Sequence, residues 1–171
     1  MLISNELVKD IKEAAYLEGD FVTRAGKKTN YYIDKYLFET KPNILTQLAA
    51  ALATILADKP FDLIAAPAFG AVPIATALAF AINKPFIIIQ HQDNDDPLIL
   101  GDYQKGQNVI IIEDILTSGK TALETAQYLT QIQLTVTEVV AIVDREEGGL
   151  EKLSDAQFGL TSLIKTSDFQ R

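Results

Sequence analysis

The sequence contains no cysteine, which excludes disulfide bonds, thiolate metal ligands and cysteine nucleophiles. Basic residues are also scarce, since 15 Lys and Arg stand against 23 Asp and Glu and give a formal net charge of −8. A chain of this charge does not favour nucleic acid or an anionic membrane surface as a partner. We therefore expect a protein that binds neither nucleic acid nor membrane.

Long uninterrupted hydrophobic runs are missing as well. The most apolar stretch, Leu63 to Ile82, contains two prolines and a glycine, so its pattern indicates a strand, a loop and a helix rather than a membrane span. The first residues, Met1 to Glu6, lack the charged start and apolar core of a signal peptide. We expect a cytoplasmic protein whose 171 residues, 48% of them hydrophobic, form one domain with a sizeable core.

Predicted strands and helices alternate along the chain. Apolar runs predict strands at 62–66, 86–89, 109–112 and 138–143, and helical spacing predicts helices at 44–56, 70–81 and 122–131. Before them come a helix capped by Ser4 or Asn5 and a hairpin-like pair of short strands at 21–24 and 31–34; residues 90–107 form a polar loop. This order predicts an α/β fold, an open mostly parallel sheet with helices on both faces.

The segment from Val109 to Thr121 carries the strongest functional signal. Its apolar strand stops at two adjacent acids, Glu113 and Asp114, and a short Thr/Ser/Gly turn then opens a helix. Ligands of open α/β sheets bind outside the carboxyl ends of the strands, and a helix N-terminus suits a phosphate. Two carboxylates beside a phosphate site suggest a sugar phosphate, whose hydroxyl groups or bound Mg²⁺ they would contact.

This segment has two other interpretations. Gly119-Lys120-Thr121 looks like the end of a Walker A loop, but that motif needs glycine at position 114, where this chain has Asp. An ordinary strand-to-helix turn with Thr117 or Ser118 as the N-cap accounts for a hydroxyl residue. It does not account for paired acids at the end of an apolar strand, so we favour the sugar-phosphate site.

The same pattern resembles the phosphoribosyl pyrophosphate loop of the type I phosphoribosyltransferases. Three further segments, at 21–34, 62–73 and 143–149, are similar to the orotate phosphoribosyltransferases, and the resemblance runs from about residue 7 to 165. It implies the type I phosphoribosyltransferase fold as a single domain over 1–171. In that domain a core of about 40–146 carries a small hood made from about 1–36 and 147–171.

The resemblance also implies a role for each segment. Glu113 and Asp114 would form the catalytic pair, contacting the ribose hydroxyls or the metal. The 5′-phosphate would be bound by Thr117, Ser118, Gly119, Lys120 and Thr121. The pyrophosphate loop would consist of Ala66, Pro67, Ala68, Phe69 and Gly70, where small residues let backbone N–H groups approach a charged ligand.

Orotate would be held by Arg24, Tyr31, Tyr32 and Arg145. A guanidinium group suits this ligand because it recognises a carboxylate in a planar, bidentate manner. Side chains alternate along a strand, so we expect one of the two tyrosines to pack inward. The implied reaction is phosphoribosyl transfer from phosphoribosyl pyrophosphate to orotate in pyrimidine biosynthesis, which gives orotidine 5′-monophosphate and pyrophosphate. Mg²⁺ is the implied cofactor and a homodimer the implied assembly.

One segment departs from the family pattern. Where the family has an Arg-Lys pair and a flexible loop with further cations, residues 90–104 contain no Lys or Arg, four Asp and the only histidine of the chain, His91. Stabilisation of developing charge is usually the largest catalytic contribution. Three possibilities stay open. Other cations could replace the loop (Arg24, Lys27, Lys28 and Lys120); the protein could bind phosphoribosyl pyrophosphate or a nucleotide with little or no transfer; or it could use another base.

Overall fold

The structure is a computed structural model and describes residues 2–22, 26, 28–93 and 95–170. Its helices are α1 (Asn5–Ala15), α2 (Tyr36–Glu39), α3 (Pro42–Leu56), α4 (Ala71–Ile82), α5 (Lys120–Gln131) and α6 (Gly149–Asp155), followed by a 3₁₀ helix, Thr166–Gln170. Its strands are β1 (Tyr16–Val22), β2 (Lys28–Ile33), β3 (Leu63–Pro67), β4 (Phe86–Gln90), β5 (Leu98–Leu100), β6 (Asn108–Leu116), β7 (Thr135–Asp144) and β8 (Leu160–Lys165). Among these described residues, the helices are too short or too polar for any of them to span a membrane.

The main sheet has six strands in the order β5-β4-β3-β6-β7-β8. In this order the pairs β4–β3, β3–β6, β6–β7 and β7–β8 are parallel. Only the edge strand β5 runs antiparallel to its neighbour β4. Strands β1 and β2 form a separate antiparallel hairpin. The predicted α/β fold with a mostly parallel sheet is confirmed.

Alternating residues of the central strand β6 point to opposite faces of the sheet. Ile110 and Ile112 belong to a cluster with residues of α1, α3 and α4, whereas Val109 and Ile111 belong to a second cluster with residues of α5. All four side chains are fully buried. Helices cover both faces of the sheet, as predicted, and this explains why residues 109–112 of β6 are all apolar.

The N-terminal elements pack beside one face of this sheet. Ser4 caps α1 by accepting a hydrogen bond from the Leu7 backbone N–H at 3.1 Å, as the sequence predicts. The end of the chain returns to α1, where the Lys12 ammonium donates to the Phe169 carbonyl and the Phe169 ring lies 5.6 Å from that of Tyr16. The division into hood and core stays a prediction, and β8, inside the predicted hood segment 147–171, lies at the edge of the main sheet.

Apart from β8, an edge strand of the main sheet that the sequence analysis did not predict, two features of the main sheet differ from the predicted elements. Strand β6 does not stop at Glu113 but continues to Leu116, because its parallel pairing with β7 extends to the pair Leu116–Asp144. The predicted polar loop at 90–107 contains β5, whose three apolar residues pair with Ile88, Ile89 and Gln90 of β4. In both cases pairing with a neighbouring strand overrides the local polar pattern.

Candidate active site

Three loops meet at the carboxyl edge of the main sheet, because β3, β6 and β7 are adjacent and parallel. The turn after β3 contains Ala68, Phe69 and Gly70, and the turn after β6 contains Thr117, Ser118 and Gly119. The loop after β7 begins with Arg145, whose backbone N–H donates to the Leu116 carbonyl at 2.9 Å. The edge thus brings together the predicted pyrophosphate loop, phosphate turn and orotate arginine.

The turn after β6 leads into α5 without a side-chain cap. Gly119 is the N-cap residue with a left-handed φ of 71°, and no side chain hydrogen-bonds to the helix start there. The alternative interpretation, with Thr117 or Ser118 as N-cap, is therefore wrong. Both hydroxyl residues are exposed, and a small cavity of about 70 Å³ is lined by Glu113 and residues 115–122. Exposed hydroxyls beside an uncapped helix start suit an anionic ligand.

Two glycines hold this turn against the start of α6. A Cβ atom on Gly119 would lie 2.9 Å from the Gly149 Cα atom. A Cβ atom on Gly149 would lie 2.7 Å from Leu116 Cδ2 and 2.9 Å from the Thr117 carbonyl oxygen. The glycine that ends the Asp-Arg-Glu-Glu-Gly-Gly segment is therefore required by close packing against the phosphate turn.

The two acids predicted as the catalytic pair are buried inside β6. Glu113 is 8% exposed and Asp114 is 5% exposed. The Asp114 carboxylate accepts a hydrogen bond from the Ile115 backbone N–H at 2.7 Å, and its other oxygen lies 2.6 Å from the Lys35 ammonium nitrogen. Burial, reinforced by the Asp114 charge and opposed by Lys35, raises the pKa of Glu113 to about 8.

Lys35 and Glu39 join this cluster, although the sequence analysis did not single them out. Glu39, at the end of α2, is 1% exposed, and neither carboxylate oxygen has a hydrogen-bond partner among the described residues. Burial, with the nearby Asp114 charge and against the attraction of Lys35, raises the pKa of Glu39 to about 8. No local pattern marks these residues, because their contacts are with a strand distant in the sequence.

The turn after β3 reaches the same cluster through Gly70. A Cβ atom on Gly70 would lie 1.5 Å from an Asp114 carboxylate oxygen and 2.6 Å from the Lys35 ammonium nitrogen. Only glycine leaves room for this arrangement. In the same turn the Ala68–Phe69 peptide bond is cis, and the Phe69 side chain is 76% exposed.

The predicted orotate residues do not all lie together. The Arg145 guanidinium lies 5.2 Å from the Tyr31 ring centroid and 2.9 Å from a Glu147 carboxylate oxygen. Tyr31 in turn stacks on Tyr16, with ring centroids 5.2 Å apart. Tyr32 points the other way and is 46% exposed, so one tyrosine packs inward, as strand alternation predicts. Arg24 lies outside the described residues.

The acidic segment after β4 lies against α5. Its histidine, His91, has Nε2 at 2.8 Å from the hydroxyl oxygen of Thr125, a fully buried residue of α5. Residues 98–100 return as β5 along the outer side of β4. This acidic segment therefore connects β4 to β5, which pair with each other.

Comparisons with known proteins support this description. Residues 38–170 match the phosphoribosyl transferase domain family. The chain is 35% identical to the orotate phosphoribosyltransferase of Natronomonas pharaonis, an alignment that covers 98% of this chain and 97% of that protein. The solved structure of orotate phosphoribosyltransferase from Aeropyrum pernix superposes with a TM-score of 0.88 at 25% identity, over 95% of each chain. UMP synthase from Leishmania donovani superposes with a TM-score of 0.86 at 30% identity, over 96% of this chain and 36% of that one.

The matched residues include β3, β6, β7 and the turns that follow them. The chain therefore belongs to the phosphoribosyltransferase family, among the orotate phosphoribosyltransferases. The resemblance drawn from the sequence is confirmed.

Replacing Gly149 with alanine tests the packing of the phosphate turn. The added methyl group overlaps Leu116 and the Thr117 carbonyl, so we expect a loss of about 1–3 kcal/mol in the free energy of unfolding, measured by urea denaturation. Gly159→Ala is the matched control, because its Cβ atom would lie 3.8 Å from its nearest neighbour, Glu138. Equal stability of the two variants would contradict the packing described here.

The raised pKa of Glu113 predicts a specific pH dependence of stability. Between pH 4.5 and about 8 the folded state keeps a proton that the unfolded state has released, so stability falls as pH rises through this range. The fall due to this group is at most about 1.4 kcal/mol per pH unit. In Glu113→Gln, unfolding measured in metal-free buffer should show a shallower fall than the wild type, whereas the exposed control Glu151→Gln should not. A slope unchanged by Glu113→Gln would rule out a buried protonated Glu113.

Proposed function

We propose that this protein transfers the phosphoribosyl group of phosphoribosyl pyrophosphate to orotate, giving orotidine 5′-monophosphate and pyrophosphate. The observation that carries the proposal is the meeting of Asp114, Gly70 and the phosphate turn at one edge of the sheet. Membership of the orotate phosphoribosyltransferase family supports this choice of substrates.

Each loop receives one part of the sugar phosphate in this proposal. Residues 117–121 bind the 5′-phosphate through backbone N–H groups and hydroxyls. Glu113 and Asp114 contact the ribose hydroxyls, and residues 66–70 bind the pyrophosphate. The direct contact between Gly70 and Asp114 supports this assignment, because it places the proposed pyrophosphate loop next to the acids proposed to contact the ribose.

Orotate lies beside the anomeric carbon, next to Arg145. The Arg145 side chain is 11% exposed, its Nε atom is buried without a hydrogen-bond partner among the described residues, and it lies over the Tyr31 ring. A guanidinium group fixed in this way can receive the orotate carboxylate in a planar geometry. The resemblance adds Tyr32 and Arg24 to the proposed orotate site, although Tyr32 points away from Arg145 and Arg24 lies outside the described residues.

The reaction is a displacement at the anomeric carbon. A bond forms between orotate N1 and C1 of the ribose, and the bond from C1 to the pyrophosphate oxygen breaks with its electron pair retained by pyrophosphate. The proton on orotate N1 is released to solvent. The protein contributes by orienting the two anions and by compensating the charge that develops on pyrophosphate.

Mg²⁺ and a homodimer belong to the same proposal. Among the described residues no group of three or more acidic or histidine side chains could hold a metal ion. Mg²⁺ needs no such group when it binds through substrate phosphates and one or two carboxylates, and Glu113, with a carboxylate oxygen that lacks a partner, fits that role together with Asp114. Bound there, Mg²⁺ would neutralise pyrophosphate charge. The homodimer and a cytoplasmic location rest on the resemblance and on the sequence.

The acidic segment favours a second candidate function. Residues 90–104 supply no basic side chain that could neutralise pyrophosphate, and within them His91 contacts α5 and residues 98–100 pair with β4. A protein of this kind could bind phosphoribosyl pyrophosphate or a nucleotide with little transfer. Pyrophosphate release measured with orotate and a panel of other bases distinguishes the candidates: turnover with orotate supports the first, turnover with another base changes the substrate, and calorimetric binding without turnover supports the second.

Replacing the acidic pair tests where the ribose binds. Glu113→Gln/Asp114→Asn should leave the ligand-free melting temperature unchanged or raised, because neutral amides replace two acids whose ionisation is unfavourable in this buried position. The same variant should lose the stabilisation given by phosphoribosyl pyrophosphate with Mg²⁺, which amounts to about 2.7 kcal/mol for the wild type at a ligand concentration of 100 times Kd. Thermal unfolding with and without ligand measures both effects.

The matched control for this variant removes two acids from an exposed surface. Glu151→Gln/Asp155→Asn makes the same two side-chain replacements on α6 and should keep the full stabilisation by ligand. If the acidic-pair variant is stabilised by ligand as strongly as this control, the ribose does not bind at Glu113 and Asp114.

A further inference from the structure

Lys35 brings an ammonium group to the point where the turn after β3 meets the acidic pair. Its nitrogen lies 2.6 Å from an Asp114 carboxylate oxygen, and a Cβ atom on Gly70 would lie 2.6 Å from the same nitrogen. Gly70 is the last residue of the proposed pyrophosphate loop. Lys35 is therefore in contact with both the part of the site that receives the ribose and the part that receives the pyrophosphate.

The Lys35 side chain also remains accessible. It is 33% exposed, whereas the Asp114 side chain to which it is paired is 8% exposed. An ammonium group has three N–H donors, and the contact with Asp114 needs one of them. Donors therefore remain for an anion that enters beside Gly70.

The other basic groups considered for this role are placed less well. Lys120 is 75% exposed and lies 3.8 Å from Glu124, one turn along α5, and Arg145 is paired with Glu147. Lys28 is exposed at the start of β2, and Arg24 and Lys27 lie outside the described residues. Residues 66–70 and 90–104 contain no Lys or Arg at all. A side-chain cation that acts on the departing pyrophosphate beside Mg²⁺ must therefore come from another segment of the chain.

We propose that Lys35 binds the pyrophosphate group of phosphoribosyl pyrophosphate and stabilises the negative charge that it gains as the bond to C1 breaks. Lys35 donates a hydrogen bond and keeps its proton throughout. Asp114 is the positioning residue for the ammonium group, since the ion pair between them holds it beside Gly70 before the ligand arrives. This inference rests on the proposed function.

Glu39 is a second buried acid near Lys35. It ends α2, the short helix that Lys35 precedes, interacts electrostatically with Lys35 and has no hydrogen-bond partner of its own among the described residues. The ammonium group is therefore paired with Asp114 and adjoins Gly70, with Glu39 nearby.

The experiment compares Lys35→Gln, Lys35→Arg and a control, Lys59→Gln. Lys59 is 31% exposed and paired with Glu138, so it matches Lys35 in exposure and in kind of partner while lying away from the carboxyl edge. Binding of inorganic pyrophosphate and of ribose 5-phosphate, each with Mg²⁺, is measured by calorimetry, and kcat is measured with orotate. Removing one preorganised donor to developing charge lowers kcat by about 10²- to 10³-fold in comparable sites.

The expected result is selective. Lys35→Gln should weaken pyrophosphate binding by about tenfold or more and lower kcat by about 10²-fold or more, with ribose 5-phosphate binding retained. Lys35→Arg, which keeps the charge, should recover part of both losses, and Lys59→Gln should resemble the wild type. Wild-type pyrophosphate affinity and kcat in Lys35→Gln would overturn the proposal. Equal weakening of pyrophosphate and ribose 5-phosphate would also overturn it, because Lys35 would then act only as the structural partner of Asp114.

The test also covers a variant that does not fold and a wild type that shows no activity. If Lys35→Gln does not fold, Lys35→Gln/Glu39→Gln removes the buried acid together with the lysine and is measured in its place against Glu39→Gln alone. If the wild type makes no orotidine 5′-monophosphate, the proposed reaction fails. The comparison of pyrophosphate and ribose 5-phosphate binding then decides the role of Lys35 by itself.

Discussion

The Asp114 carboxylate occupies the space that a side chain at position 70 would fill, and this close approach determines how the site is assembled. It joins the turn after β3 to the strand β6, and through the ion pair with Lys35 it joins both to the segment that follows the N-terminal hairpin. Three pieces of chain that are distant in the sequence are thereby brought into direct contact. This contact fixes the turn after β3 relative to β6, because a residue larger than glycine at position 70 would overlap the Asp114 carboxylate.

Burial of β6 on both faces gives this contact its electrostatic character. The same pairing with β7 that carries the strand beyond Glu113 and Asp114 keeps water away from their carboxylates. With Glu39 alongside, three acids share one ammonium group, and burial raises the pKa of both glutamates to about 8. When a ligand binds at these acids, its hydroxyl groups or a metal ion would take the place of the proton that a buried acid otherwise keeps.

The sequence predicted those parts of the molecule that depend on local pattern. Apolar runs and helical spacing located β3, β4, β6 and β7 with the helices between them, and the motif residues marked the three loops at the carboxyl edge. It did not predict β5, whose three residues are strand only because β4 lies beside them, or α2, which is a single turn. The short helix α6 and the edge strand β8 were not predicted either. Lys35 and Glu39 were missed for the same reason, because what distinguishes them is a contact with Asp114 that no local spacing records.

The distribution of charge explains how an acidic chain can receive two anionic substrates. In the described part of the site each basic group already has an acid: Lys35 has Asp114, and Arg145 has Glu147. Because the raised pKa values of Glu39 and Glu113 favour their neutral forms, the local charge without ligand is close to balanced, despite a net charge of −8 over the whole chain. Long-range attraction, which salt screens beyond about 10 Å, contributes little to substrate binding here. Affinity for a phosphorylated sugar has to come from short contacts, namely uncapped amides at α5, fixed glycines and partly accessible cations, and these are the features that the carboxyl edge provides.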